Sequence, residues 1–323
     1  MILSALGITI IILGLIASYL VGANNIASSL GILLSTRVVR RSTAYLLTVI
    51  SSFTGTVLNS YTMIGSVKSL IRSPFHELVL IAIITILFAS SVAFYYLNKL
   101  GVPSSLSQML YVGLVVLVLV SRGDYLFDWL KFSLTVVSWI LSPIFSSVVS
   151  LTIYSILSRR INEKSLISQI KYYKTFILVS SLVTSYVVGA NAIGIIVSAG
   201  LVGYDNYYAI SIAYGLASVI GILKVSLKPS IVVGFRITKL GYLGASSALL
   251  GGGVLSEAFT IFGIPISITQ TILGGIVGLS LRNLTKDVRT QLMNVAKGWL
   301  YAPVISTVIS LAVFGVIRSL LGL

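Results

Sequence analysis

Two short motifs in this 323-residue sequence place hydroxyl and amide side chains directly behind a proline. The first is PSSLSQ at residues 103–108, and the second is PISITQ at residues 265–270. Proline fits the first turn of a helix, so each motif predicts a helix start. Backbone N–H groups are free there, and neighbouring hydroxyls would help them to hold an oxyanion without a fixed charge. The candidate side chains are Ser105, Ser107, Gln108, Ser267, Thr269 and Gln270.

A second repeated motif, Gly-Ala-Asn, occupies Gly22 to Asn24 and Gly189 to Asn191. Each copy lies near the middle of a long apolar segment, where glycine and asparagine weaken a helix. We expect a break in each segment, with free N–H groups that suit an anion and free carbonyl groups that suit a cation. The side chains that would contribute are Asn24, Asn25, Ser28, Ser29, Asn191 and Ser198.

Both motifs also have a purely structural interpretation. Small and polar residues let helices approach closely in membranes, and proline with serine commonly caps a helix at the interface. The recurrence of each motif, including the final glutamine of the proline motif, favours a binding site over this alternative.

The elements that must carry these motifs are membrane helices. Hydrophobic residues make up 57% of the chain and charged residues 9%, with a mean hydropathy of +1.06, which leaves too little polar surface for a soluble globule. The apolar runs lack the alternation of barrel strands, so we predict an all-α membrane protein of about ten crossings. The predicted stretches are 4–34, 43–64, 77–98, 104–120, 130–157, 173–201, 206–223, 242–262, 265–281 and 298–321.

The net charge of +15 does not indicate nucleic-acid binding, because the basic residues lie in the gaps between apolar stretches. With both termini outside, 17 of the 22 Lys and Arg residues fall in cytoplasmic gaps, as the positive-inside rule requires. We therefore predict a multi-pass protein of the cell membrane in this orientation. The chain has no cysteine, and neither a metal site nor another cofactor is indicated.

Three pairs of motifs recur in the same order along the chain. The Gly-Ala-Asn copies are 167 residues apart, the proline motifs 162, and the Trp-x-x-x-Pro copies beginning at Trp139 and Trp299 are 160 apart. This regularity indicates an internal duplication. We predict a first repeat at 1–157, a basic cytoplasmic linker at 158–172 and a second repeat at 173–323. Five crossings per repeat would make the second copy inverted, as in alternating-access transporters with broken helices or re-entrant segments.

The paired motifs, together with WILSP at 139–143 and VGFRIT at 233–238, resemble the inorganic phosphate transporter (PiT) family, which includes phosphate and sulfate permeases. The family signature reads approximately G-A-N-D-V-A-N and G-S-N-D-V-A-N, with P-V-S-T-T-H in both halves. The resemblance implies a cation-coupled phosphate importer with an inverted-repeat fold, usually a homodimer. The phosphate and ion positions that it implies are Asn24, Ser105, Ser107, Asn191, Ser267 and Thr269.

The sequence departs from that pattern where the family has charged residues. Asn25 and Ala192 replace aspartates, and Gln108 and Gln270 replace histidines. A coupling cation in the membrane normally needs negative charge. Backbone carbonyls, with Asn25 and Asn191, remain as candidate ligands for Na⁺.

Among the seven carboxylates, only Glu257 lies away from a segment edge. It has two interpretations, a proton site or an interfacial side chain that reaches water, and the sequence favours the second. The carboxylates and the single His76 form no acid–base pair at a useful depth, which disfavours an enzyme.

The favoured function is a secondary transporter of inorganic phosphate, coupled to Na⁺ or H⁺ and working by alternating access. Sulfate or a related oxyanion is an alternative substrate, because the amides and hydroxyls offer both donors and acceptors. An uncoupled anion carrier or channel is the other alternative, since the family carboxylates are missing.

Overall fold

The computed structural model describes residues 2–73, 76–100, 102, 104–121, 126–280 and 286–321. Pro103, which opens the first proline motif, lies outside the described residues. The first half contains α1 (Ile2–Asn25), α2 (Ala27–Thr36), α3 (Arg41–Asn59), α4 (Gly65–Lys68), α5 (His76–Lys99), α6 (Leu106–Val120) and α7 (Trp129–Asn162). The second half contains α8 (Leu166–Val187), α9 (Gly194–Gly203), α10 (Tyr207–Val225), α11 (Leu227–Thr238), α12 (Gly241–Ile261), α13 (Ile268–Ser280) and α14 (Lys286–Leu321).

Each of the ten predicted apolar stretches overlaps one or more of these helices, which confirms the prediction of an all-α membrane protein. Six stretches of the described chain are long and apolar enough to cross a bilayer: Leu3–Thr36, His76–Lys99, Trp129–Asn162, Leu166–Gly203, Tyr207–Val225 and Lys297–Ser319. The outward sides of α7 and α14 carry exposed apolar side chains, including Leu134, Ile144 and Val308. Such faces suit contact with lipid tails.

Two short strands join the regions that flank α5 and α6. Strand β1 (Ile71–Arg72) pairs in antiparallel fashion with β2 (Leu126–Phe127), with Ile71 opposite Phe127. The pairing brings the beginning of α5 and the end of α6 to the same level. Because α5 and α6 also pack against each other, they form a helical hairpin, which we call the first hairpin. The packed pair of α12 and α13 forms the second hairpin.

The two Gly-Ala-Asn segments do not open into the breaks that we expected. Helix α1 continues through Asn24 and Asn25, and only Ile26, with φ −73° and ψ −9°, separates it from α2. In the second segment, Val188–Ile193 forms a π-helical turn between α8 and α9. A π turn accommodates an extra residue within a continuous helix. The helices are therefore locally loosened and not broken.

Close helix crossings explain why both segments stay helical at their glycines. A Cβ on Gly22 would collide with the carbonyl oxygen of Ser218 on α10, and a Cβ on Gly189 with that of Ser52 on α3. The reciprocal contacts also match, since Gly221 abuts the Tyr19 carbonyl and Gly55 abuts the Tyr186 carbonyl. For the two motif glycines, the packing interpretation is therefore correct.

The last long helix of each half packs on the hairpin of the other half. Helix α7 lies against α12 and α13, and α14 lies against α5 and α6. The Ser146 hydroxyl donates to the Thr271 carbonyl at 2.5 Å, and the Ser306 hydroxyl donates to the Met109 carbonyl at 3.5 Å. These contacts join positions that the motif spacings of 160 and 162 residues relate to each other.

Two predicted gaps are more helical than the sequence indicated. The polar run 158–172 is mostly taken up by the ends of α7 and α8, which leaves only residues 163–165 between them. The basic gap at 224–239 contains α11, which buries Ser230 and Ile237 and packs on α2. The apolar part of α11 is short and lies between Lys228 and Arg236, so it does not appear as an apolar stretch.

Candidate functional site

Each proline motif leads into a helix start, as predicted, but α13 begins at Ile268, so Pro265 precedes the first turn and does not lie in it. Helix α6 begins at Leu106, directly after Ser105, whose carbonyl accepts from the Met109 N–H at 3.2 Å. Helix α13 begins at Ile268, and the Ser267 carbonyl accepts from the Gln270 and Thr271 N–H groups at 2.9 and 3.1 Å. No side chain caps α6 within the described residues. Backbone donors at the start of α6 are thus available to a ligand.

The hydroxyls at these starts are largely buried. Ser105, Ser107 and Ser267 are each 6–7% exposed, whereas Thr269 is half-buried. The Ser105 and Ser107 hydroxyl oxygens are 2.9 Å apart and share a hydrogen bond. The Ser104 hydroxyl is buried without a partner in the described part of the chain. These groups form a neutral cluster that can donate or accept hydrogen bonds.

The two glutamines are the most unusual side chains of the site. Gln270 is 1% exposed, and neither its amide nitrogen nor its amide oxygen has a hydrogen-bond partner among the described residues. Gln108 is 6% exposed, and its amide oxygen is likewise unpartnered. A buried polar atom left unpaired costs about 1–3 kcal/mol. Such groups call for an explanation, and a polar ligand is one.

The asparagine of each Gly-Ala-Asn motif is tied to the hairpin of its own half. The Asn24 amide donates to the Asn98 side-chain oxygen at 3.0 Å, near the end of α5. The Asn191 amide donates to the Thr260 hydroxyl at 2.9 Å and to the Ile264 carbonyl at 3.3 Å, at the end of α12 and in the turn beyond it. These bonds place the asparagine of each Gly-Ala-Asn motif beside residues that precede the proline motif of the same half.

These contacts also fix how far each hairpin reaches. Beyond Asn24 the first segment continues with the ten residues of α2, and beyond the π turn the second continues with the ten residues of α9. At 1.5 Å per residue, each adds about 15 Å. Each hairpin turn therefore begins well short of the end of the long segment to which it is tied.

An aromatic bridge links the two helix starts across the halves. The Trp139 indole N–H on α7 donates to the Pro265 carbonyl at 2.8 Å. Its ring meets the edge of Tyr111 on α6 with 6.1 Å between ring centroids. Tyr111 lies one turn beyond Gln108. Within the described residues, no hydrogen bond directly joins a predicted site residue of the first half to one of the second.

The remaining predicted residues are Asn25, Ser28, Ser29 and Ser198. Asn25 and Ser28 share one kind of environment, and the two serines Ser29 and Ser198 each have another. Asn25 and Ser28 are half-buried and make no hydrogen bond within the described part of the chain. Their side chains are free to meet a ligand. Ser29 is fully buried and accepts from the Ser185 hydroxyl at 2.9 Å, which joins α2 to α8.

Ser198 acts as a cap and not as a ligand-facing group. Its hydroxyl oxygen accepts from the N–H groups of Val67 and Lys68 at 2.9 and 3.1 Å, and it donates to the Ile64 carbonyl at 2.6 Å. These bonds hold the start of α4 against α9. For Ser29 and Ser198, the structure supports the packing interpretation.

Three residues of the site were missed by the sequence argument. Asn98 and Thr260 tether the hairpins, and they precede Pro103 and Pro265 by the same number of residues, a signal that was present in the sequence. Ser142 on α7 is fully buried with an unpartnered hydroxyl, on the helix that packs on α13. Nothing in a single sequence would have placed it there.

The described residues contain no group of His, Cys, Asp or Glu side chains that could hold a metal ion. Lys99 is exposed at the end of α5, in the turn of the first hairpin. The site is thus formed by neutral donors and acceptors, with one cation nearby in the sequence.

Comparison with known proteins matches the phosphate transporter family model over residues 21–188 and 187–322. A Methanocaldococcus jannaschii protein assigned as a phosphate permease is 27% identical over 292 residues, covering 90% of this chain and 91% of that protein. The sulfate permease CysP of Bacillus subtilis is 26% identical over 302 residues, covering 90% and 82%.

A solved sodium-dependent phosphate transporter has the same fold, with a TM-score of 0.84 and 19% identity. The match covers 97% of this chain and 99% of the solved one. The relatives are transporters and permeases, so this multi-pass protein serves membrane transport and is not an enzyme. Because the family model matches almost the whole sequence, the chain belongs to the phosphate transporter family.

Proposed function

We propose that this protein is a secondary transporter that carries inorganic phosphate across the cell membrane by alternating access. Family membership and the phosphate permease relative support the substrate. The observation that carries the proposal is the pair of buried glutamines at matched helix starts, Gln108 and Gln270, whose amide oxygens have no hydrogen-bond partner among the described residues.

The chemistry of these groups fits an oxyanion that carries a proton. Backbone N–H groups at the starts of α6 and α13, with the hydroxyls of Ser105, Ser107 and Ser267, would donate to the anionic oxygens. Phosphate also bears P–OH groups near neutral pH, and these need acceptors. The amide oxygens of the glutamines would supply them.

The proposed architecture consists of two inverted repeats, residues 1–157 and 173–323, joined by the basic linker 158–172. The matching glycine crossings and the exchanged packing of α7 and α14 support the duplication. In this arrangement both hairpins are re-entrant, and their turns carry the proline motifs to the level of Asn24 and Asn191. About ten helical stretches then lie within the membrane, and alternate exposure of the two turns would open the site to one side at a time.

The distribution of basic residues supports termini on the outer side of the cell membrane. The protein is expected to be a homodimer, for which the exposed apolar faces of α7 and α14 leave room.

Coupling to Na⁺ or H⁺ is also part of the proposal. The sodium dependence of the structural neighbour is compatible with Na⁺, for which Asn25 and Asn191 remain the candidate side chains. Neither side chain carries a charge, so backbone carbonyls would have to complete such a site.

Sulfate is the second candidate substrate, because a sulfate permease is among the relatives. Sulfate has no proton to donate near neutral pH, so a site for sulfate would leave the glutamine oxygens without a donor. An uncoupled carrier or a channel remains the alternative mechanism, and unitary currents would identify a channel.

The test is uptake of radiolabelled phosphate by purified protein in liposomes, competed with sulfate and with arsenate, under imposed Na⁺ or proton gradients. We expect Ser105→Ala and Ser267→Ala to weaken phosphate binding several-fold, about 1 kcal/mol each. The matched control is Ser158→Ala, because Ser158 lies near the end of α7, where its hydroxyl donates to the Ser155 carbonyl and to no residue of either proline motif.

Each outcome is decisive for one part of the proposal. Flux of sulfate without flux of phosphate would reverse the substrate assignment, and flux indifferent to both gradients would exclude symport. Unchanged phosphate binding in both serine variants would remove the site from the proline motifs.

A further inference from the structure

Glu257 differs from the other described carboxylates in its position. Glu77 lies in the first turn of α5, Asp128 and Glu163 flank α7, and Asp205 lies between α9 and α10. Glu257 lies on α12 one turn before the helix ends, inside the second hairpin. Ionisable residues within membrane segments are costly and usually mark ion or proton pathways.

The contacts of Glu257 satisfy only half of its carboxyl group. Oε1 accepts from the Asn59 amide at 2.5 Å, and Asn59, the last residue of α3, is 9% exposed. Oε2 is buried and has no hydrogen-bond partner in the described part of the chain. The one ion pair there, between Lys68 and Asp205, lies elsewhere. A charged carboxylate left in this way would be poorly compensated.

The titratable group shown to interact electrostatically with Glu257 is Tyr186 on α8. Tyr186 in turn neighbours two more tyrosines, Tyr61 in the 3₁₀ turn after α3 and Tyr207 on α10. The Tyr207 hydroxyl already donates to the Val57 carbonyl at 2.8 Å. Tyr61 is 57% exposed, so its side of the cluster faces outward from the protein. None of the three brings a positive charge to the carboxylate.

Glu257 is also linked to the proposed phosphate site through the hydrogen bonds of its neighbours on α12. Thr260 follows it by three residues, on the same face of α12, and accepts from Asn191 at 2.9 Å. Ser256, immediately before it, shares a hydrogen bond with Thr271 on α13 at 2.8 Å. A change in the position of Glu257 relative to α3 would therefore move the helix start that carries Gln270.

We infer that Glu257 is the proton-binding residue that couples transport to the proton gradient, with Asn59 as its positioning partner. The inference rests on the proposed transport function. Oε2 takes up a proton from the outer solution, and the neutral acid stays packed against α3. After the hairpin has moved, the same proton leaves Oε2 to the cytoplasm, so one proton crosses with each anion.

The geometry favours a proton over Na⁺ at this position. Hard metal cations take several oxygen ligands, whereas Asn59 presents an N–H group to Oε1 and no described atom contacts Oε2 by hydrogen bonding. The first hairpin has no second copy of the group, because the position equivalent to Glu257 is Tyr95, which is 48% exposed. Among the described residues of the two hairpins, Glu257 is therefore the one carboxyl group that lies near a hairpin turn.

The experiment measures phosphate accumulation in Na⁺-free liposomes, with the membrane potential clamped by K⁺ and valinomycin. External pH is fixed and only the internal pH is varied. Accumulation is expressed as the ratio of internal to external HPO₄²⁻, because the internal pH also changes phosphate speciation inside the liposomes. One coupled proton predicts about tenfold steady-state accumulation per pH unit for the natural sequence. Glu257→Gln should reduce this to no accumulation while preserving exchange of labelled for unlabelled phosphate.

Two variants serve as controls. Glu77→Gln removes a carboxylate at a helix start and should accumulate phosphate like the natural protein. Glu257→Asp keeps the carboxyl group and should retain accumulation at a reduced rate, including where the glutamine variant fails to fold.

The inference and the proposed function fail in different ways. No phosphate flux in the natural protein would overturn the proposed function. Phosphate flux that ignores internal pH would overturn the inference alone. Accumulation that persists in Glu257→Gln would show that the proton binds elsewhere.

Discussion

The first and second hairpins are each held to a long neighbouring helix by one asparagine, and each presents a proline motif at its turn. Their polar groups differ. The first combines Ser104 and the bonded pair Ser105 and Ser107, with Lys99 nearby. The second combines Glu257 with Gln270, whose amide atoms have no partner in the part of the chain that the structure describes. The contacts that place backbone against backbone are present in both halves, whereas the side chains at the turns differ. In the proposed transporter, the two hairpins would have the same helix contacts, but each would offer different polar groups to the anion.

The glycine crossings give the largest expected effect. They test whether close helix packing at these glycines is equally necessary in both halves. Gly22→Leu and Gly189→Leu force a side chain into a carbonyl of the crossing helix, which should destabilise the protein by at least about 3 kcal/mol. Detergent-solubilised protein would lose its monodisperse elution and its thermal unfolding transition. Gly315→Leu, which has open space around it, is the control. A large effect in one half alone would show that the glycine crossings of the two halves are not equally important for stability.

The glutamines give the next largest effect. They test whether the two hairpins contribute unequally to phosphate binding. Gln270→Leu removes two unpartnered polar atoms, so it should weaken phosphate binding by about 1.5–3 kcal/mol, tenfold or more, without lowering thermal stability. Gln108→Leu should act in the same direction but less strongly. Equilibrium binding and thermal unfolding, measured on the same preparations, separate these effects. Equal losses of affinity would make the two helix starts equivalent, and unchanged affinity with lower stability would assign both side chains to packing.

The asparagine tethers give the smallest effect. Asn98→Ala and Thr260→Val each remove one partner of a Gly-Ala-Asn asparagine, and each should cost about 1 kcal/mol of stability. The valine variant should be the milder, because Asn191 keeps its bond to the Ile264 carbonyl. Thermal unfolding measures both, with the exposed Thr152→Val as the control. A greater loss in Thr260→Val than in Asn98→Ala would contradict this ranking.

Helix positions could be predicted from the sequence because bilayer helices need long apolar runs, and α5, α7 and α12 follow the predicted bounds closely. The helix starts at Leu106 and Ile268 were also predictable, since proline restricts where a helix begins. The π turn at Val188–Ile193 was not, because intrinsic weakness of a helix does not reveal that a neighbour crosses it at Gly189.

Side-chain pairing was harder to predict than helix placement. The pairing of Asn191 with Thr260 joins residues distant in sequence, and only the shared spacing before the prolines points to it. From the sequence, Glu257 is expected at the membrane interface, because it lies toward the end of an apolar stretch. Its position along the stretch does not reveal that the Asn59 side chain faces the carboxylate.

The exchanged positions of α7 and α14 have a consequence for biosynthesis. Helix α7 is synthesised long before its partners α12 and α13, so its hydroxyl-bearing face, with Ser142, Ser146 and Ser150, enters the bilayer without them. The native contacts of the first half are thus completed only when the second half has been translated, and their large sequence separation favours slow maturation. A ribosome-released first half would remain an unfinished insertion intermediate, open to quality control, unless the second half were supplied as a separate chain.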